Sequence, residues 1–97
     1  MDKHAIEVPD GEQERQQLLD ELAADHGPHS AEQYKPGSLG CHELLDRTAL
    51  AADIVERYVR IHPACVHNRE WFALAERAVA ALQELYQRIG AAHLDAQ

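Results

Sequence analysis

Hydrophobic residues in the larger, C-terminal part of the chain recur every three or four positions, the spacing of one face of an α-helix. The pattern predicts two helices, at about 39–61 and 69–89. They are separated at His62-Pro63, because a residue before proline is disfavoured in helical geometry, and Asn68 is a good cap for the next helix. Since the connection is short, we expect the two helices to form an antiparallel hairpin.

The first helix of this hairpin is apolar around more of its circumference than one neighbour can cover. At about 100° per residue its apolar positions span roughly 220°, against about 100° for a helix that covers one core. Leu50, Ile54 and Ile61 lie to one side of this arc, and Tyr58 is assigned to its margin. A further element is therefore expected to dock on the hairpin, either the N-terminal segment or a second copy of the chain.

A shorter helix is predicted in the N-terminal third, at about 11–25. Asp10 and Gln13 have the spacing of a capping box, and Gly27-Pro28 is typical of a helix end. Leu18 and Leu22 belong to a short apolar stripe along this helix. We expect the stripe to cover part of the hairpin.

The fold class is expected to be all-α. The sequence contains sixteen alanines and no alternating run of β-branched residues. We expect one domain over residues 1–97, built as a three-helix bundle or as a dimeric bundle of the four-helix type. Residues 1–9 and 91–97 are expected to be flexible tails, with Gly90 ending the last helix.

The net charge of −8 is concentrated in the first third of the chain. Residues 1–33 carry nine acidic and two basic side chains, whereas residues 34–97 carry eight and seven. An acidic surface repels phosphates and anionic membranes, so we expect neither nucleic acid nor membrane as a partner, and a basic protein is the partner that this charge favours. With no signal sequence evident and only two cysteines, we expect a cytoplasmic protein.

One group of residues has the chemistry of a metal site. His62, Cys65 and His67 offer three ligands of the kind that zinc prefers, but zinc sites usually need a second, spaced pair of ligands. Cys41 is too distant along the intervening helix to complete the site or to form a disulfide with Cys65. We therefore expect no metal, with these three residues as the only weak candidates.

A second motif falls one ligand short of the zinc-protease helix His-Glu-x-x-His. His42-Glu43 is followed by Asp46 where that motif has its second histidine. Helical spacing assigns His42 and Asp46 to the polar face and lets Glu43 reach Arg47. We expect a solvated surface here.

No catalytic or cofactor motif is found, so we expect neither enzyme activity nor a cofactor. The favoured hypothesis is a small non-catalytic helical interaction protein that forms a homodimer. An acidic inhibitor, immunity or anti-defence protein that masks a basic surface, such as that of a nuclease, is the first alternative, and a transition-metal-binding module is the second. The expected interface residues are Leu18, Leu22, Leu50, Ile54, Tyr58 and Ile61.

Overall fold

The computed structural model describes residues 9–96, and these residues are helical apart from short connections. Its elements are α1 (Pro9–His26), a 3-10 turn (Gly27–His29), α2 (Ser30–Tyr34), α3 (Leu39–Ile54), a π-helical segment (Val55–Arg60), α4 (Pro63–Val66) and α5 (Arg69–Ala96). No strand occurs within the described part of the chain. The predicted all-α class is confirmed.

Contacts divide the chain after Glu32 into two units, and each is described by itself. The first contains α1, which ends at His26 as predicted, where Gly27 takes a φ of 76° that favours glycine. Leu18 and Leu22 on α1 are 51% and 41% exposed. That α1 covers the hairpin, and that residues 1–97 form one domain, both stay predictions.

The second unit is the antiparallel hairpin, whose predicted caps are present. The Ser38 hydroxyl accepts a hydrogen bond from the Cys41 backbone N–H at 3.1 Å, which starts α3. The π-helical segment continues α3 to Arg60, and His62 is extended (ψ 136°) before Pro63. The Asn68 side chain then accepts from the Trp71 N–H at 3.0 Å and starts α5.

The core between α3 and α5 is small. Among the described residues the buried side chains are Cys41, Thr48, Ala75, Val79 and His93, and no large side chain is fully buried. Thr48 satisfies its hydroxyl by donating to the Leu44 carbonyl oxygen at 2.8 Å. Such a core leaves most of the large apolar side chains of the hairpin in water.

The C-terminal boundary corrects the sequence prediction. The expected tail at 91–97 is wrong for residues 91–96, because α5 continues through Gly90 to Ala96. The physical reason is a tertiary contact: His93 is only 3% exposed, and its Nδ1 accepts a hydrogen bond from the Gly37 N–H at 2.9 Å. Pro9 of the expected N-terminal tail is also helical, while residues 1–8 and Gln97 lie outside the described residues.

Candidate functional site

One side of the hairpin is an unpartnered apolar surface, which we call the apolar face. Its residues follow one another at spacings of three, four or seven, so they share one side of each helix. They are Leu44, Ala51 and Ile54 on α3, Tyr58 on the π-helical segment, and Trp71, Leu74, Ala78 and Leu85 on α5. All eight are exposed except Ala51, which is half-buried.

Each helix therefore carries two neighbouring apolar stripes. On α5 the first stripe runs through Ala75, Val79 and His93 and packs against α3, whereas the second, from Trp71 to Leu85, belongs to the apolar face. A helix with two such stripes is typical of a four-helix bundle, in which every helix contacts two neighbours. Within the hairpin, among the described residues, only the first stripe of each helix has a partner.

The apolar face deepens into a groove of about 540 Å³ near the turn of the hairpin. Tyr58 and Val59 line it from one helix, and Trp71 and Leu74 line it from the other. Because the groove joins the two stripes, they lie on the same side of the molecule. Its remaining lining residues are His62, Ala64, Cys65 and Ala75.

The opposite side of the turn carries the ionic contacts. Arg60 forms two hydrogen bonds with the Glu56 carboxylate, at 2.8 and 2.6 Å, and its Nη1 lies 3.6 Å from the Glu76 carboxylate on α5. The guanidinium also sits 5.2 Å from the centre of the Phe72 ring. This cluster ties the end of the first long helix to the start of the second.

The same contacts account for two shifted ionisations. The hydrogen bonds donated by Arg60 hold the pKa of Glu56 below its ordinary value. Reciprocally, the bonded Glu56 carboxylate raises the pKa of Arg60, which stays charged in any case. The ion pairs Glu43–Arg47 and Asp53–Arg57 are also formed as their spacing predicts, each at 2.9 Å.

The interface residues expected from the sequence are all exposed. Ile54 and Tyr58 belong to the apolar face itself, with Tyr58 68% exposed, while Leu50 and Ile61 flank it and are 59% and 51% exposed. Leu18 lies in the first unit, on α1, together with Leu22. Their role in an interface stays a prediction.

The candidate metal ligands are not gathered into a site. His62 lies at the turn, where its Nδ1 already accepts a hydrogen bond from the Ala64 N–H at 3.0 Å. Cys65 is half-buried in the groove and His67 is exposed at the end of α4. Between residues 9 and 96, no three or more His, Cys, Asp or Glu side chains are placed together so that they could hold one ion.

The protease-like residues lie in solvent. His42 and Asp46 are 53% and 72% exposed, with His42 Nε2 3.6 Å from the carboxylate. The ring of His42 lies 5.5 Å from that of His93. The Glu43 carboxylate accepts a hydrogen bond from Arg47 at 2.9 Å.

Two features were missed when the sequence was interpreted alone. His93 was assigned to a tail, although it follows Ile89 by four residues and so continues the packed stripe of α5. The sequence analysis also assigned none of Trp71, Leu74 and Leu85 to an exposed surface, whereas their exposure shows that α5 contributes half of the apolar face.

None of the helices between Pro9 and Ala96 combines the length and the apolarity that a bilayer span requires. Comparison of the chain with protein-family models, curated proteins and solved structures finds no match.

Proposed function

We propose that this chain is a small non-catalytic interaction protein that forms a homodimer through the apolar face of its hairpin. The observation that carries the proposal is the exposure of both second stripes on one side of the molecule. Eight large side chains on or beside that side are between 44% and 68% exposed: Leu44, Leu50, Ile54, Tyr58, Ile61, Trp71, Leu74 and Leu85.

The exposed area suits an interface of ordinary size. If a large side chain carries roughly 150–250 Å², eight that are about half exposed leave on the order of 800 Å² in water. A stable protein interface takes about 800 Å² from each partner. Monomeric proteins rarely leave a contiguous apolar surface of this extent uncovered.

A second copy fits this surface better than a single helix does. It supplies a second α3 and a second α5, each with an exposed stripe of the same spacing, and so completes a four-helix core. A single leucine stripe, such as that of α1, covers a smaller area than these two stripes present. The dimer would also deepen a core that no large side chain of the described residues now fills.

The decisive test compares two equally exposed residues in the full-length chain. Tyr58, 68% exposed, lies on the apolar face, and Leu94, 69% exposed, lies on the other side of the hairpin beside His42 and Gln87. By sedimentation velocity we expect Tyr58→Glu to raise the dimer dissociation constant by about 30-fold, the effect of losing an interface hot spot. Leu94→Glu should leave it unchanged.

Two results would contradict the proposal. One is a wild-type chain that stays monomeric up to about 100 µM, because its dissociation constant would then be too weak for a specific dimer. The other is equal weakening by Tyr58→Glu and Leu94→Glu, which would show that the apolar face is not the contact. We also propose a reducing compartment, the cytoplasm, for this dimer, a setting that suits two free cysteines.

A specific feature of α1 supports a second candidate function, the masking of a basic protein surface. Glu14, Glu21 and Asp25 follow one another at helical spacing, and all three are exposed next to the leucine stripe. Such a helix complements a cationic groove with an apolar floor, and its binding would weaken with added salt. In a pull-down, a partner held this way elutes at moderate salt and is lost when Glu14, Glu21 and Asp25 are changed to lysine.

A further inference from the structure

We infer that the two copies pack with their turns at opposite ends, so that α3 lies against the partner's α3 and α5 against the partner's α5. The inference rests on the proposed homodimer and specifies its geometry. The competing arrangement has both turns at the same end, which places α3 against the partner's α5. Charge and shape on the apolar face separate the two.

The register within one hairpin fixes which side chains lie level with each other. Leu45 lies beside Gly90, His42 beside His93, and Arg60 beside Glu76. Carried along the two helices, this register places Arg47 of α3 level with Arg88 of α5. Both arginines lie within or beside the exposed stripes, and both are 72% exposed.

Charge disfavours turns at the same end. In that arrangement Arg47 faces the partner's Arg88, and the symmetry repeats the contact. Each arginine is ion-paired on its own helix, Arg47 with Glu43 and Arg88 with Glu84, so the two guanidinium groups meet with part of their charge compensated. With the turns at opposite ends and Leu44 level with the partner's Tyr58, Arg47 lies within one helical turn of that tyrosine ring. An arginine over an aromatic ring is attracted, whereas two facing arginines repel.

Shape favours the same choice. The groove near the turn is concave, and two concave surfaces set against each other would enclose empty space, which forfeits packing contacts. At the other end of the apolar face, Leu44 is 50% exposed and does not line this groove. Opposite turns bring Leu44 of each copy towards Tyr58 and the groove of the other.

Disulfide trapping tests the arrangement in the full-length chain. In a cysteine-free background (Cys41→Ala with Cys65→Ser) that sedimentation shows to be dimeric, chains with Leu44→Cys and chains with Tyr58→Cys are refolded together and oxidised. A disulfide needs Cα atoms within about 7 Å, so the mixed disulfide is expected only when the turns lie at opposite ends. The matched competitor mixes Leu44→Cys with Ala92→Cys, which meet only when the turns lie at the same end.

A second measurement needs no cysteine substitution. Arg47→Glu in the wild-type chain should weaken the dimer roughly fivefold, because a cation leaves the partner's Tyr58 ring at two symmetric contacts. With the turns at the same end, the new glutamate would face Arg88 and tighten the dimer. The glutamate introduced at position 47 also repels Glu43. Because both lie on one helix, this repulsion affects monomer and dimer alike.

The outcomes distinguish this geometry from the homodimer itself. The Leu44–Tyr58 disulfide together with weakening by Arg47→Glu supports opposite turns. A Leu44–Ala92 disulfide, a dimer that yields neither disulfide, or tightening by Arg47→Glu overturns the geometry and leaves the homodimer intact. A wild-type chain without any dimer overturns both.

Discussion

The two ends of the hairpin are built from helices of the same spacing but differ in how far one chain completes them. At the open end, where residues 37–48 meet residues 86–96, Cys41, Thr48 and His93 are buried. At the turn end, residues 55–80, the buried side chains are Ala75 and Val79, and the groove lies between aromatic rings that are more than half exposed. The open end thus buries the polar side chains of Thr48 and His93, whereas the turn end buries only apolar side chains and leaves the aromatic rings of its groove exposed.

The difference shows what closes a small helical core. At the open end a backbone turn, rather than a further helix, covers the gap: the Gly37 N–H donates to His93, and a Cβ added at Gly37 would lie 3.3 Å from the Ala96 carbonyl oxygen. The turn end has only the ionic cluster around Arg60 on one side, and charged pairs at the surface exclude little water. The apolar side of the turn end is therefore where a second copy would add the most.

The largest effect is expected at the open end, from His93→Ala. The change removes a buried ring and leaves the Gly37 N–H without its acceptor, so the free energy of unfolding should fall by about 2–4 kcal/mol. Urea denaturation at a fixed protein concentration measures it. The neighbouring Leu94→Ala, at an exposed position, should change stability by less than about 0.5 kcal/mol.

Equal losses from His93→Ala and Leu94→Ala would break the comparison between the two ends. The open end would then be no more complete than the turn end. A loss confined to His93→Ala would instead show that the last turns of α5 belong to the cooperative core.

The sequence predicts elements whose signals are local and misses those that depend on a partner across the hairpin. The helices near 39–61 and 69–89 follow from apolar spacing, the Ser38 and Asn68 caps and Pro63, and the hairpin confirms them. Gly90 was taken as a stop because glycine often ends helices, but a contact distant in sequence, His93 with Gly37, stabilises the helix beyond it.

The sequence predicted the α3 half of the apolar face but not the α5 half, again because the missing half depends on a contact across the hairpin. Excess apolar width on α3 can be counted from the sequence, so Ile54 and Tyr58 were identified. Which stripe of α5 is buried depends on how the two helices are rotated against each other, and that rotation is fixed only by packing. Trp71 and Leu74 could therefore not be separated from core residues such as Val79.

Effects of intermediate size on the free energy of unfolding are expected from alanine substitutions at two glycines of the open end, and the two effects have opposite signs. Gly37 has a φ of 91°, and an added Cβ would lie 3.1 Å from Ala96 Cβ, so Gly37→Ala should destabilise by about 1–3 kcal/mol. Gly90 lies within α5, where a Cβ would meet Leu45 at an ordinary 3.7 Å. Gly90→Ala should therefore stabilise by up to about 1 kcal/mol through helix propensity.

Urea midpoints of both variants check this prediction. If Gly90→Ala destabilises the protein as much as Gly37→Ala does, α5 ends at Gly90. Residues 91–96 would then not continue the helix that packs against the Gly37 turn. The opposite signs would show that the closure of the open end depends on the turn at Gly37.

The smallest effect is expected at the turn end, from the pH dependence of the Glu56–Arg60 pair. Arg60 holds the pKa of Glu56 below its ordinary value of 4.5. The ionised carboxylate is therefore more stable in the folded state than in the unfolded state. The stability that this adds is complete above about pH 5 and is lost as the pH falls through the lowered pKa. Wild type should therefore be slightly more stable than Glu56→Gln at neutral pH and lose that advantage in acid.

Urea midpoints between neutral and acidic pH measure the difference, and Arg60→Gln provides the control. In that background Glu56→Gln should no longer change the pH profile, since the donor that shifts the pKa is gone. A difference between wild type and Glu56→Gln that persists in strong acid would mean that Glu56 acts through packing. The ionic cluster would then be part of the core at the turn end, which would no longer depend on a second copy for its closure.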